Sequence, residues 1–135
     1  MSVESDLETA LGVMLEANAV GYGNVTTGPV TIPEIEGSLR HASVRMLGSR
    51  GSRLDYGQTE WTDSVAVTCY WRSTIDRADR LTEWEAFRDA LAADQDLDGN
   101  VEGLSDAYLV LEAWGEAKDG AYVVMAAEIE TRRVE

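Results

Sequence analysis

The sequence is poor in several residues that usually announce chemistry: one cysteine, one histidine, one phenylalanine, two prolines and a single lysine, Lys118, against ten arginines. Cys69 has no partner in the chain, which excludes an internal disulfide. Its place in an apolar alternation is that of a buried thiol rather than a nucleophile. His41 does not lie near it in sequence, so there is no local Cys–His pair, and no His/Cys cluster has the spacing of zinc ligands. No glycine-rich phosphate loop followed by Lys-Ser/Thr occurs. No apolar run approaches a membrane span, and no charged-then-apolar leader opens the chain, so the expectation is a soluble protein without a membrane partner. Carboxylates are plentiful, but no pair of them stands out as a general acid and base. The expectation is therefore no enzyme activity and no cofactor.

What is present in excess is acid. Asp and Glu number 25 against 11 Lys and Arg, a net charge of -14 in 135 residues. Such a surface repels phosphate, which argues against sequence-specific nucleic-acid binding. It suits a halophilic host, where salt screens self-repulsion; a genome favouring Arg over Lys produces the same balance. Length and a hydrophobic content of 44% fit one globular domain, residues 1–135, with its own core.

Periodicity supplies the elements. Leu7, Ala10, Leu11, Met14 and Leu15 repeat on one helical face, with Ser5 and Glu8 spaced as a capping box. NAVGYGN (18–24) breaks that helix, and VTIPEI (30–35) reads as a short extended piece. From Glu60 the period changes to two, with Val65, Val67, Cys69 and Trp71 on one side, a strand. A second helix is expected over Asp76 to Ala93, its face formed by Leu81, Trp84, Phe87 or Arg88, and Leu91, with Thr82 and Glu85 as a capping pair. YLVLEAW (108–114) and YVVMAAEIETRRV (122–134) then form a hairpin turning at Asp119-Gly120. Leu109 and Leu111 are expected to face Val123, Met125 and Ala127 and to pack on the second helix. The fold class is α+β: a mainly antiparallel sheet, an N-terminal helix, a second helix packed on it, and a C-terminal β-hairpin. Trp71 and Trp84 belong to the core; Trp61 and Trp114 are unassigned by pattern.

Two segments carry candidate sites. LRHASVRMLGSRGSRLDYGQ (39–58) is a basic island in an acidic chain, and its glycines and serines predict a flexible loop at about 45–58. Arg45, Arg50 and Arg53 are its candidate contact residues, because a guanidinium pairs in a fork with a partner's carboxylate or with phosphate. DQDLDGNVEGLSD (94–106) resembles the front of a calcium loop: Asp94, Asp96 and Asp98 occupy positions 1, 3 and 5, with Gly99 at 6 and Glu102 at 9. Position 12, where a bidentate Glu is required, is Ser105. The exit also reads as strand instead of helix, so the segment is expected to be a solvated helix-to-strand turn with no metal.

The succession LTEWEAFRDALAAD, LDGNVEGLSDAYLVLEAW and YVVMAAEIETRRV covers roughly the last sixty residues. It resembles the tail terminator (tail completion) proteins of long-tailed bacterial and archaeal viruses. Leu97, Gly99 and Val101 match the family's short L-x-G-x-V turn, and Val123 to Ile129 its closing strand; Asn100 departs where relatives carry a second glycine. The resemblance implies a homo-oligomeric ring, a hexamer, that caps the tail tube in the virion, ends its polymerisation and offers the head-docking face. It implies the tail tube protein and a head–tail connector as partners, at most passing contact with viral DNA in the ring lumen, and no catalysis. A head–tail connector stopper or a tube protein shares this style of fold. A small calcium- or ligand-binding module is the reading from a different class.

Overall fold

The computed structural model describes residues 3–17, 25–27, 39–54, 57–93 and 104–134. The elements are α1 (Val3–Ala17), β1 (Val25–Thr27), β2 (Arg40–Arg53), β3 (Thr59–Arg72), α2 (Arg77–Ala93), β4 (Leu104–Ala117) and β5 (Tyr122–Val134). The five strands form one sheet in the order β1-β2-β3-β5-β4. Only β1 and β2 run parallel; every other pair is antiparallel. The α+β class is as the residue pattern predicts.

Both helices pack on the same face of the sheet, because period-two side chains send one apolar set there. Val65, Val67, Cys69 and Trp71 of β3, with Met125, Ala127 and Ile129 of β5, form the floor of the core. Leu7, Leu11 and Leu15 of α1 and Trp84, Phe87 and Leu91 of α2 close over it. The spacing i, i+4, i+8 on α1 and i, i+3, i+7 on α2 is one helical stripe in each case. Of the two alternatives on α2, Phe87 is inside and Arg88 is exposed. The carbonyl of Asp76, the residue before α2, accepts from the amide of Arg80, the first hydrogen bond of the helix.

Five expectations are corrected. Thr82 and Glu85 are not a cap: they lie inside α2, and the Thr82 hydroxyl donates back to the carbonyl of Ala78. Glu8 lies within α1 and reaches across to β2, accepting from the amide of Met46 at 3.3 Å. β4 is longer at both ends than YLVLEAW. Leu111 does not join Leu109 on the core face, because the register shifts between them. Leu109 pairs with Ile129 and packs on the core, whereas Leu111 pairs with Glu128 and is 54% exposed. The extra residue, Val110, is a β-bulge, and a bulge reverses the alternation beyond it.

The fifth correction is the largest. The segment at 45–58 is not a loop as far as Arg53: it is the second half of β2, paired with Thr59 to Ala66 except at Leu47, where the register shifts between Met46 and Gly48. Its glycine is a packing residue. A Cβ on Gly51 would stand 3.1 Å from Cζ3 of Trp61 and 3.2 Å from Cγ2 of Thr59. The indole of the cross-strand partner covers the bare backbone, an arrangement in which an aromatic replaces the side chain that glycine lacks. NAVGYGN, VTIPEI and the acidic segment through Gly103 lie outside the described residues.

Candidate assembly surface

The sheet has two borders, each with a long stretch that no described strand covers. Along β2, β1 occupies the outer side only opposite Ala42 to Val44, and Glu8 then takes the amide of Met46. Beyond Met46 the outer side of β2 has no strand partner among the described residues. The opposite border is the whole of β4, fourteen residues whose one strand neighbour among the described residues is β5. Exposed strand edges present unpaired amide and carbonyl groups and are templates for adding another strand.

The two edges differ in chemistry. From Arg45 to Arg53, β2 carries three arginines and no acid. Arg45 and Arg53 are exposed and have no ion-pair partner among the described residues. Arg50 reaches Glu130 at 3.7 Å with 77% of its side chain exposed, a pairing worth little in water. Register sends Arg45 and Arg50 to the face away from the helices, opposite Ala66 and Thr62, and Arg53 to the helix side. The three candidates thus lie along one border without converging into a pocket.

β4 carries three acids, Asp106, Glu112 and Glu116, and no basic residue. Val110, Leu111 and Trp114 are each about half exposed. Trp114 rests against the buried Trp71, ring centroids 5.7 Å apart, and closes one side of a 260 Å³ cleft with Arg77, Arg80, Leu81 and Val123. An Oδ of Asp106 is buried without a hydrogen-bond partner. Sequence pattern missed this border, since Val110, Leu111 and Trp114 read as ordinary strand hydrophobics.

Two buried ion pairs fix the frame that carries these edges, and neither was anticipated. Arg40, expected in the basic island, forms a forked pair with Glu83 of α2 at 2.7 and 3.0 Å. His41, opposite Tyr70 on the face away from the helices, is buried and shares a hydrogen bond with Thr26 at 3.2 Å. At the far end of the sheet Arg133 donates to the fully buried Asp63 at 2.8 and 3.5 Å, and the Ser49 hydroxyl donates to the same carboxylate at 2.5 Å. Arg133 also lies over the Trp61 ring. A signal existed: Asp63 and Arg133 fall in the buried phase of their strands, two residues from Val65 and two from Thr131.

The single thiol is not placed for nucleophilic chemistry. Cys69 is fully buried, and burial, with a smaller contribution from the Glu83 charge, pushes its thiol far above the usual range. Burial also raises the Tyr70 hydroxyl, with Cys69 adding to it. Among the described residues no three His, Cys, Asp or Glu side chains are grouped to hold a metal. Asp94, Asp96 and Asp98 lie outside the described residues. No described helix is long and apolar enough to cross a membrane.

No protein-family model matches the chain, and no curated protein matches it in sequence. Among solved structures the fold is similar to a chain of the "Virion of native gene transfer agent (GTA) particle", with a TM-score of 0.56 and 11% identity. The similarity covers 99% of this chain and 98% of that one, so the two share one fold from end to end.

Proposed function

We propose that the chain is a structural component of a tailed virus or virus-like particle, a tail terminator whose copies form a hexameric ring at the neck end of the tail tube. The observation that carries this reading is the end-to-end fold likeness to a chain of a gene transfer agent virion. The helix, turn and closing-strand pattern of the last sixty residues points to the same class. Two uncovered sheet edges supply what a ring subunit needs, a surface on each side that a neighbour can meet. In this role the protein acts by shape and adhesion, without catalysis or cofactor. It meets its own copies, the tail tube and the head–tail connector.

A tube protein or a connector stopper fits the same fold, and tail length separates the three. Particles assembled without the chain are expected to carry overgrown tails of uneven length, restored to one length by adding the purified protein. Absence of all tube would indicate a tube protein, and tails of normal length unable to join heads would indicate a stopper.

A further inference from the structure

We propose that the two uncovered edges are made for each other: the outer half of β2 in one copy adds, antiparallel, to β4 of the next copy. The inference rests on the ring reading above and specifies its seam. Three observations meet here. The first is vacancy, since Leu47 to Arg53 and all of β4 have no outer strand partner among the described residues. The second is charge. Arg53 of β2 lies on the helix side of the sheet, the side on which Glu112 and Glu116 of β4 lie, in a chain whose net charge of -14 would otherwise set copy against copy; Arg45 and Arg50 lie on the other face, and Glu112 already meets Arg88 at 3.4 Å. The third is exposed apolar surface on both edges, with Leu47 48% exposed on β2 and Val110, Leu111 and Trp114 on β4.

Strand direction follows from the topology. β2 is antiparallel to β3, β3 to β5 and β5 to β4, so β2 and β4 run in opposite senses within a subunit. A rotation axis roughly along the strands preserves those senses. The neighbour's β4 then arrives antiparallel to β2, the more stable pairing. The contact is head-to-tail, joining two different patches, and such contacts generate rings when the rotation closes. β1 marks one limit of the seam, because it already occupies the outer side of β2 opposite Ala42 to Val44. Main-chain hydrogen bonds supply the adhesion, and the charges exclude the wrong pairings, β2 to β2 and β4 to β4.

The test is a charge swap on the full chain, read by native mass. One variant carries Arg53→Glu, the arginine on the same face as the acids Glu112 and Glu116 of β4. The other carries Glu116→Arg, and leaves Glu112 and Asp106 in place because Arg88 and Arg132 stand against them. Each alone is expected to stay monomeric at concentrations roughly tenfold or more above those at which the unaltered chain assembles. An equal mixture should assemble again, with three copies of each, since every seam then joins opposite charges. Hydrogen exchange on the unaltered chain needs no variant to fold: amides in 47–53 and 110–116 should slow roughly tenfold or more on assembly. Variants that assemble alone, folded variants that fail to assemble when mixed, or assembled rings without that protection would overturn the seam and leave the ring standing. An unaltered chain that stays monomeric at every concentration, also with tail tubes, defeats the ring reading and this inference with it.

Discussion

Replacing Arg133 by Met removes the guanidinium that donates to Asp63. Asp63 is fully buried and Arg133 nearly so, 0% and 8% exposed. The carboxylate keeps the Ser49 hydroxyl, one neutral donor for a full charge. Breaking a buried pair from one side costs about 3–5 kcal/mol, because the remaining charge has lost its partner but stays out of water. Arg133 also covers Trp61, so its stem contributes packing that Met only partly replaces. Against a total of roughly 5–15 kcal/mol, the loss is a large share of the stability. With a urea slope of about 1–3 kcal/mol/M, the midpoint should fall by roughly 2 M. The double variant Asp63→Val with Arg133→Met should recover much of it, with a coupling of at least about 2 kcal/mol. If Arg133→Met shifted the midpoint no further than Arg50→Met, whose partner contact is exposed, the claim that this pair holds the end of the sheet would be refuted.

Three further outcomes follow from the geometry. Leu109→Glu should cost several kcal/mol and Leu111→Glu no more than about 0.5, measured by urea unfolding, since the bulge at Val110 sends only the first to the core. Equal effects would contradict the bulge. Gly51→Val should cost about 1–3 kcal/mol and shift tryptophan emission, because its Cβ meets the Trp61 ring at 3.1 Å; a neutral change would show that the indole moves freely aside. The raised Cys69 thiol stays protonated in the fold above the pH at which the unfolded thiol ionises. The unfolded chain there binds fewer protons, so stability should fall as pH rises above about 8.5, by up to about 1.4 kcal/mol per pH unit. Cys69→Ala should flatten that part of the stability–pH curve, and an unchanged slope would assign it elsewhere, for instance to Tyr70.

The elements with strong periodicity were legible almost to the residue. β5 was expected over 122–134 and found there, α2 began one residue later than expected, and the inward set of β3 is the one its alternation predicts. β2 was not legible, because its glycines and serines read locally as loop while its pairing to β3 is a non-local property. Gly51 shows the mechanism: it exists for Trp61, ten residues away. The bulge at Val110 has no local signature in YLVLEAW, so one inserted residue reversed Leu111. The ion pairs were written in phase with apolar neighbours, but a charge in the buried phase declares its burial only once a partner strand is known. The candidate arginines were recognised by their charge; their setting on a strand edge opposite an acidic one is a property of the sheet order alone.

The central claim, a ring component at the neck end of a tail, is tested most directly by locating the chain on tail tubes. Purified full chain bearing a gold label, incubated with tubes and imaged by electron microscopy, should appear at a single end of each tube. The bound mass there should be six times the 14.8 kDa of one copy. Label distributed along the tube, or tubes with no label at either end, would contradict the account.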